Sequence, residues 1–363
     1  MKRKSGLLLV LGALIATPLV AGARSGVAAA PPSVTVFATG LNSPRGLTFG
    51  GDNLYVAEAG TGGTSTTSTC PQVVPPIGPY KNGPTAQISK ISDDGTRSVV
   101  VSGLPSALTA IGAVQGVADV KFVDDHLYAL LVGAGCSHGA SSPNGVLRVD
   151  KNGTTSLFAD LSAYMASHPV ANVDPSDFEP DGSWYSMVPW GDNIYALNPN
   201  AQDLVRIDDD GHVRRVVDFS TTFLPSNHDW EGPTAIARHG KSLYLGTLNE
   251  FPIVPGSSKI LKVDRDGEWR VWATGFTTIV SLAFDEDGNL YVLELNNAPG
   301  GPSPGNGDIV KVSHDGKDRS TLVSGLTLPT GMTIGPGGDL YVSAFGIGPP
   351  GHGEILKVDI DED

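Results

Sequence analysis

Two glutamates close the same kind of phrase, an aliphatic residue and a tyrosine within a strand-like run. They are Glu58, after Tyr55-Val56-Ala57, and Glu294, after Tyr291-Val292-Leu293. Asn198, Asn249 and Glu250 fall near the same level of their own repeats, and Asp119 and Glu231 lie at or just before the strands that open theirs. Oxygen donors gathered at one mouth are the ligands that Ca2+ or another divalent metal takes. The same residues also read as solvated loop groups, or as caps on strand ends.

Other candidates are weaker. His228-Asp229-Trp230-Glu231 places a base, two acids and an aromatic ring together. One local run supplies no triad geometry, so it reads as a ligand-contacting segment or as a surface loop. His138, in Gly135-Cys136-Ser137-His138-Gly139, reads as a loop residue. Gly301-Pro302-Ser303-Pro304-Gly305 fits the Gly-x-Ser-x-Gly pattern of serine hydrolases only formally. Pro304 has no N–H for an oxyanion and no helix pattern follows, so a nucleophile elbow is excluded. The chain carries no phosphate loop, dinucleotide fingerprint or haem motif.

The elements that would position these residues are repeats. Leu54-Tyr55, Leu127-Tyr128, Ile194-Tyr195, Leu243-Tyr244, Leu290-Tyr291 and Leu340-Tyr341 recur along the chain. Each is followed by a basic phrase: Lys90-Ile91-Ser92, Arg148-Val149-Asp150, Arg206-Ile207-Asp208, Lys262-Val263-Asp264, Lys311-Val312-Ser313 and Lys357-Val358-Asp359. A period of roughly 40–50 residues marks a propeller or a solenoid. Asp94-Gly95, Asn152-Gly153, Asp210-Gly211, Asp266-Gly267 and Asp315-Gly316 are hairpin turns, where glycine accepts a positive φ. Four short strands per unit predict an all-β chain, a six-bladed β-propeller of four-stranded antiparallel blades. The sixth unit lacks a fourth strand, and Val34-Thr35-Val36-Phe37 is expected to supply it, closing the ring and removing an exposed edge. The propeller is expected over residues 34–363, with insertion loops at 59–86 and 162–183. The six tyrosines, identically placed, are expected to pack between sheets.

Residues 1–23 have the form of a cleavable signal peptide: Lys2-Arg3-Lys4, an apolar stretch from Leu7 to Ala21, then Ala21-Gly22-Ala23. The apolar stretch is short for a bilayer, and nothing later is long enough to span one, so no transmembrane segment is expected in the mature chain. A secreted or periplasmic protein, monomeric, follows from this reading. A formal charge of −14 repels phosphate backbones and argues against nucleic acid as a partner.

Cys70 and Cys136 are the only cysteines, each after the second strand of its blade. Such loops of neighbouring blades emerge on one face, and in an oxidising compartment a disulfide is expected. Two free thiols are the alternative. A structural zinc needs about four ligands, and Cys136 with His138 supplies two.

The wording of the repeats resembles the ScyD/ScyE-like family, exported propeller proteins named for the scytonemin biosynthesis cluster. The matching stretches are Val36 to Leu47 with Leu54 to Gly60, Gly83 to Ile88, Gly246-Thr247-Leu248-Asn249-Glu250-Phe251-Pro252, and Ala273-Thr274-Gly275-Phe276 leading into Leu282 to Asp285. The resemblance covers essentially residues 34–359 and implies a six-bladed propeller outside the cytoplasm, with no catalytic motif to carry over. More distant propellers, gluconolactonase-like and streptogramin-lyase-like, look like metal-dependent enzymes, and their active residues do not match here one by one. The expected role is binding of a small molecule or protein partner at the channel face. A divalent-metal-dependent hydrolase or lyase, or a scaffold subunit, are the alternatives.

Overall fold

The two recurring phrases are one feature of the structure. In all six blades the tyrosine of the first phrase stands directly opposite the basic residue of the second: Tyr55 with Lys90, Tyr128 with Arg148, Tyr195 with Arg206, Tyr244 with Lys262, Tyr291 with Lys311 and Tyr341 with Lys357. Directly paired residues on one face of an antiparallel pair are the contacts that fix register. The Lys262 ammonium lies 5.1 Å from the Tyr244 ring centroid and that of Lys311 5.8 Å from Tyr291. Long basic side chains lay their stems on the ring and keep their charge in water.

The computed structural model describes residues 32–66, 69–175, 178–224, 231–249 and 251–360. The signal-like segment and the His228-Asp229-Trp230 run lie outside them, as does Glu250. Within Pro31–Asp361, which forms one unit, six antiparallel sheets make a six-bladed propeller. The innermost strands are Pro44–Gly50, Val117–Val123, Ser186–Trp190, Pro233–His239, Ile279–Phe284 and Gly331–Ile334. The last blade takes its outer strand from the other end of the chain, Ser33–Leu41 pairing antiparallel with Gly353–Asp359. Among the described residues no helix is long and apolar enough to cross a membrane.

Each blade buries its aliphatic second strand between two neighbours, and aromatic side chains fasten successive blades edge to face. Tyr55 meets Phe122 at 5.1 Å, Tyr244 meets Phe284 at 4.9 Å, and Tyr341 meets Phe49 at 5.0 Å. The Asp-Gly turns are also interlocked. Gly211 has φ +83°, and a Cβ there would stand 2.2 Å from the Phe158 carbonyl of the preceding blade. Glycine is needed for both reasons, conformation and clearance.

Two details depart from four strands and plain loops. Blade one gains a fifth strand, Val114–Gln115, hydrogen-bonded outside Arg97–Leu108. The 162–183 excursion grows out of a helix, Leu161–Ser167, whose N-cap Asp160 accepts from the Ala163 N–H. Leu161, Tyr164 and Met165, at helical spacing, are its buried face.

Candidate ligand site in the central channel

The residues singled out from the sequence have local partners of their own. Glu58, fully buried, accepts from the Asn42 N–H at 2.7 Å, Gln87 Nε2 at 2.9 Å, Ser89 Oγ at 2.5 Å and Arg97 Nη2 at 2.7 Å. Three of these donors converge on Oε1 and one on Oε2, so the carboxylate is held from four sides. Asn198 accepts from the Ser183 N–H at 3.2 Å, and Asn249, at φ +65°, donates to the Ser257 carbonyl at 2.9 Å. Glu231 is paired with Lys259. Glu294 accepts from the Thr277 N–H at 2.7 Å. No group of three or more His, Cys, Asp or Glu side chains that could hold a metal ion occurs among the described residues.

Asp119 alone of this set lines the channel. It is 3% exposed and, together with Lys121, ties three blades to one another. Oδ1 accepts from Lys121 Nζ at 2.6 Å and from the Val120 N–H at 2.9 Å, and Oδ2 accepts from the Met187 N–H of blade three at 2.9 Å. Burial raises its pKa, against the pull of Lys121 and of the two N–H groups. Lys121 in turn donates to the Leu47 carbonyl of blade one at 3.3 Å.

Hydroxyl groups carry the stitching around the rest of the ring. Ser186 donates to the Thr234 carbonyl, Thr234 to Ile279, Ser281 to Met332 and Thr330 to Pro44. Every junction between neighbouring blades is thus bridged by a polar contact beside the axis. A cavity of about 300 Å³ runs between them, from the level of Tyr185 and Thr330 to that of Arg238 and Phe284. That volume is at the lower end for small-molecule sites.

Arg45 sits at the Tyr185 end. It occupies the place filled by Ala118, Tyr185, Thr234, Val280 and Thr330 in the other five blades. Its guanidinium donates to the Val114 carbonyl at 2.7 Å, and the nearby Tyr185 hydroxyl works against the effect of burial on its pKa. Ala118, on the blade between, is small enough to let the two meet. Tyr185 lines the channel void, and both side chains are partly buried. Burial lowers the pKa of Arg45 and raises that of Tyr185. No carboxylate pairs with Arg45 among the described residues. Sequence reasoning passed over it because only a six-way alignment of the repeats exposes an arginine in a slot otherwise held by Ala, Val, Thr and Tyr.

The insertions converge beside this end. Cys70 and Cys136 are disulfide-bonded, joining the first-blade loop to the second-blade loop. Tyr80, from the first insertion, donates to Glu179 Oε1 at 2.9 Å and accepts from Gln115 Nε2 at 2.8 Å. His138 Nε2 lies 3.3 Å from Glu179 Oε2, and its ring stands edge-on to Tyr80 at 4.5 Å. Ser137 Oγ donates to Asp181 at 2.5 Å. Ser137 and His138 have no solvent-accessible surface, so this network ties loops together and offers no open nucleophile.

No protein-family model matches this chain. No curated protein matches it either. Solved structures do. Regucalcin from Agrobacterium tumefaciens, described as a calcium-binding protein, has a TM-score of 0.55 at 12% identity, covering 91% of this chain and 95% of that one. A glucose dehydrogenase gives 0.55 at 12%, over 91% and 100%. A protein assigned as a gluconolactonase gives 0.53 at 12%, over 90% and 92%. This is similarity of fold, a six-bladed propeller.

Proposed function

We propose that the protein is an exported propeller that captures a small anionic molecule at the insertion-bearing end of its channel, with Arg45 as the anchor. The observation that carries the reading is a partly buried guanidinium beside the channel, with the Val114 carbonyl and the Tyr185 hydroxyl as its neighbours and no carboxylate paired with it among the described residues. Even a half-buried cation without a counter-charge carries a cost, and an anionic group at the Tyr185 end offsets it. The planar fork of arginine suits a carboxylate or phosphate in two-point contact. Tyr185 donates beside it, and the cavity below accommodates the remainder of the ligand. The resemblance of the repeats to ScyD/ScyE-like proteins fits an exported binding role.

The test is a thermal-shift screen of the purified protein with small mono- and dicarboxylates and inorganic phosphate, repeated on Arg45→Gln. A stabilising anion that loses at least tenfold affinity in Arg45→Gln supports the reading. Anion binding unchanged in that variant overturns it, and capture of a protein partner with no anion response favours the scaffold alternative.

A hydrolase or lyase is the second reading. It is favoured by Asp119, whose raised pKa beside Lys121 and Tyr185 is the environment of a general acid or base. The comparison with a protein assigned as a gluconolactonase lends it a class. Under this reading Asp119→Asn abolishes turnover of a lactone, whereas under the first it only weakens binding.

A further inference from the structure

Glu58 and Glu294 end the second strands of blades one and five, and the chain surrounds them in opposite ways. Each accepts one N–H from just beyond the preceding blade's outer strand, Asn42 and Thr277 respectively, both at 2.7 Å. Across the ladder Glu58 faces Gln87, a neutral donor, whereas Glu294 faces Asp308, a second acid. Ser89, whose hydroxyl serves Glu58, has Val310 as its counterpart. Arg97 reaches Glu58, but its counterpart Arg319 gives Nη1 to the Thr274 and Gly275 carbonyls at 2.9 and 3.0 Å. Arg319 makes no hydrogen bond to either acid.

The second pair is therefore left in electrostatic deficit. Glu294 is 6% exposed and Asp308 7%. Asp308 Oδ2 accepts from the Asn297 amide, while its Oδ1 is buried without a donor. Directly opposed residues in an antiparallel pair have Cβ atoms about 5 Å apart, so the two carboxyl groups share one small volume. Burial and the neighbouring Asp308 push the pKa of Glu294 up to about 7.

We propose that Glu294 and Asp308 form a Ca2+ site at the end of the two middle strands of blade five, apart from the channel and independent of the anion reading. Two carboxylates, one of them with an orphaned oxygen, are hard donors. The Asn296-Asn297 loop and water complete the six to eight oxygens that Ca2+ takes. Only two ligands are charged, which places the affinity in the weak range of extracellular modules, about 0.1–1 mM.

The experiment is Ca2+ titration of the purified protein by calorimetry and thermal melting, alongside Glu294→Gln, Asp308→Asn and Glu58→Gln. The expected result is one ion per chain and a midpoint raised by roughly 2–4 °C at about 10 mM Ca2+. Asp308→Asn and Glu294→Gln should each lose the Ca2+ response while melting, in chelator, at or above the unsubstituted protein. Glu58→Gln should lower the midpoint and keep the response. No heat and no shift up to 10 mM overturns the proposal, as does a shift that persists in both Asp308→Asn and Glu294→Gln. Those two variants carry the test separately, so failure of either to fold leaves the other decisive.

Discussion

A Cβ built on Gly46 would stand 2.0 Å from Oδ1 of Asp119. Blade one thus yields its side chain at this point so that an acid from blade two can lie across the junction and reach blade three. Gly46→Ala forces Asp119 aside and strains both its bond to Lys121 and its bond to the Met187 N–H. A loss of about 2–4 kcal/mol is expected, from overpacking and a disturbed buried carboxylate. Urea unfolding checks it, and a loss below about 0.5 kcal/mol would mean that Asp119 relaxes freely.

Arg97 and Glu58 predict a coupled pair. Arg97→Met leaves a fully buried carboxylate with three neutral donors, at an expected loss of about 2–4 kcal/mol, since the arginine itself is 24% exposed. Glu58→Gln combined with Arg97→Met should lose less than the sum of the single changes. Additive losses in that double-mutant cycle would contradict the pairing.

Stability should fall as pH rises through neutrality. Burial raises the Glu294 carboxyl to about 7 and that of Asp203 to about 6. The folded chain therefore holds protons that the unfolded chain releases near pH 4, and this stability is present in acid and lost as pH rises through 6 to 7. In chelator the melting midpoint at pH 5.5 should exceed that at pH 8 by a few degrees. Glu294→Gln should flatten the slope; an unchanged slope would assign the effect elsewhere.

Breaking the Cys70–Cys136 bond frees the first insertion from blade two. Cys136→Ser should lose about 2–4 kcal/mol, chiefly by widening the unfolded ensemble. Limited proteolysis should then cut within residues 59–79 while the blades stay intact. Cleavage spread over the whole chain would instead tie the disulfide to global folding.

Fold and site were unequally legible in the sequence. The Tyr–basic ladder is local and repeats six times, so period, strand order and turns could be read directly. Glu58 and Glu294 looked alike because their own strands are alike. What separates them, Gln87 against Asp308 and Ser89 against Val310, sits one strand further along. The role of His138 was hidden differently: its partners Tyr80 and Glu179 come from two insertions whose paths no repeat dictates. The helix after Asp160 did leave a signal, an N-cap followed by apolar residues at Leu161, Tyr164 and Met165. It was outweighed by the surrounding loop-like composition.

The closing strand also sets an orientation. Leu41 stands opposite Gly353, at the end of the sixth blade that carries the loop between its second and third strands, and Ser33 stands opposite Asp359 at the other end. Ser33 and Asp359 therefore both lie at the blade end opposite to the insertions and to Arg45. A tether at either point, to a surface or to another protein, would leave the mouth of the channel turned outward to whatever diffuses past.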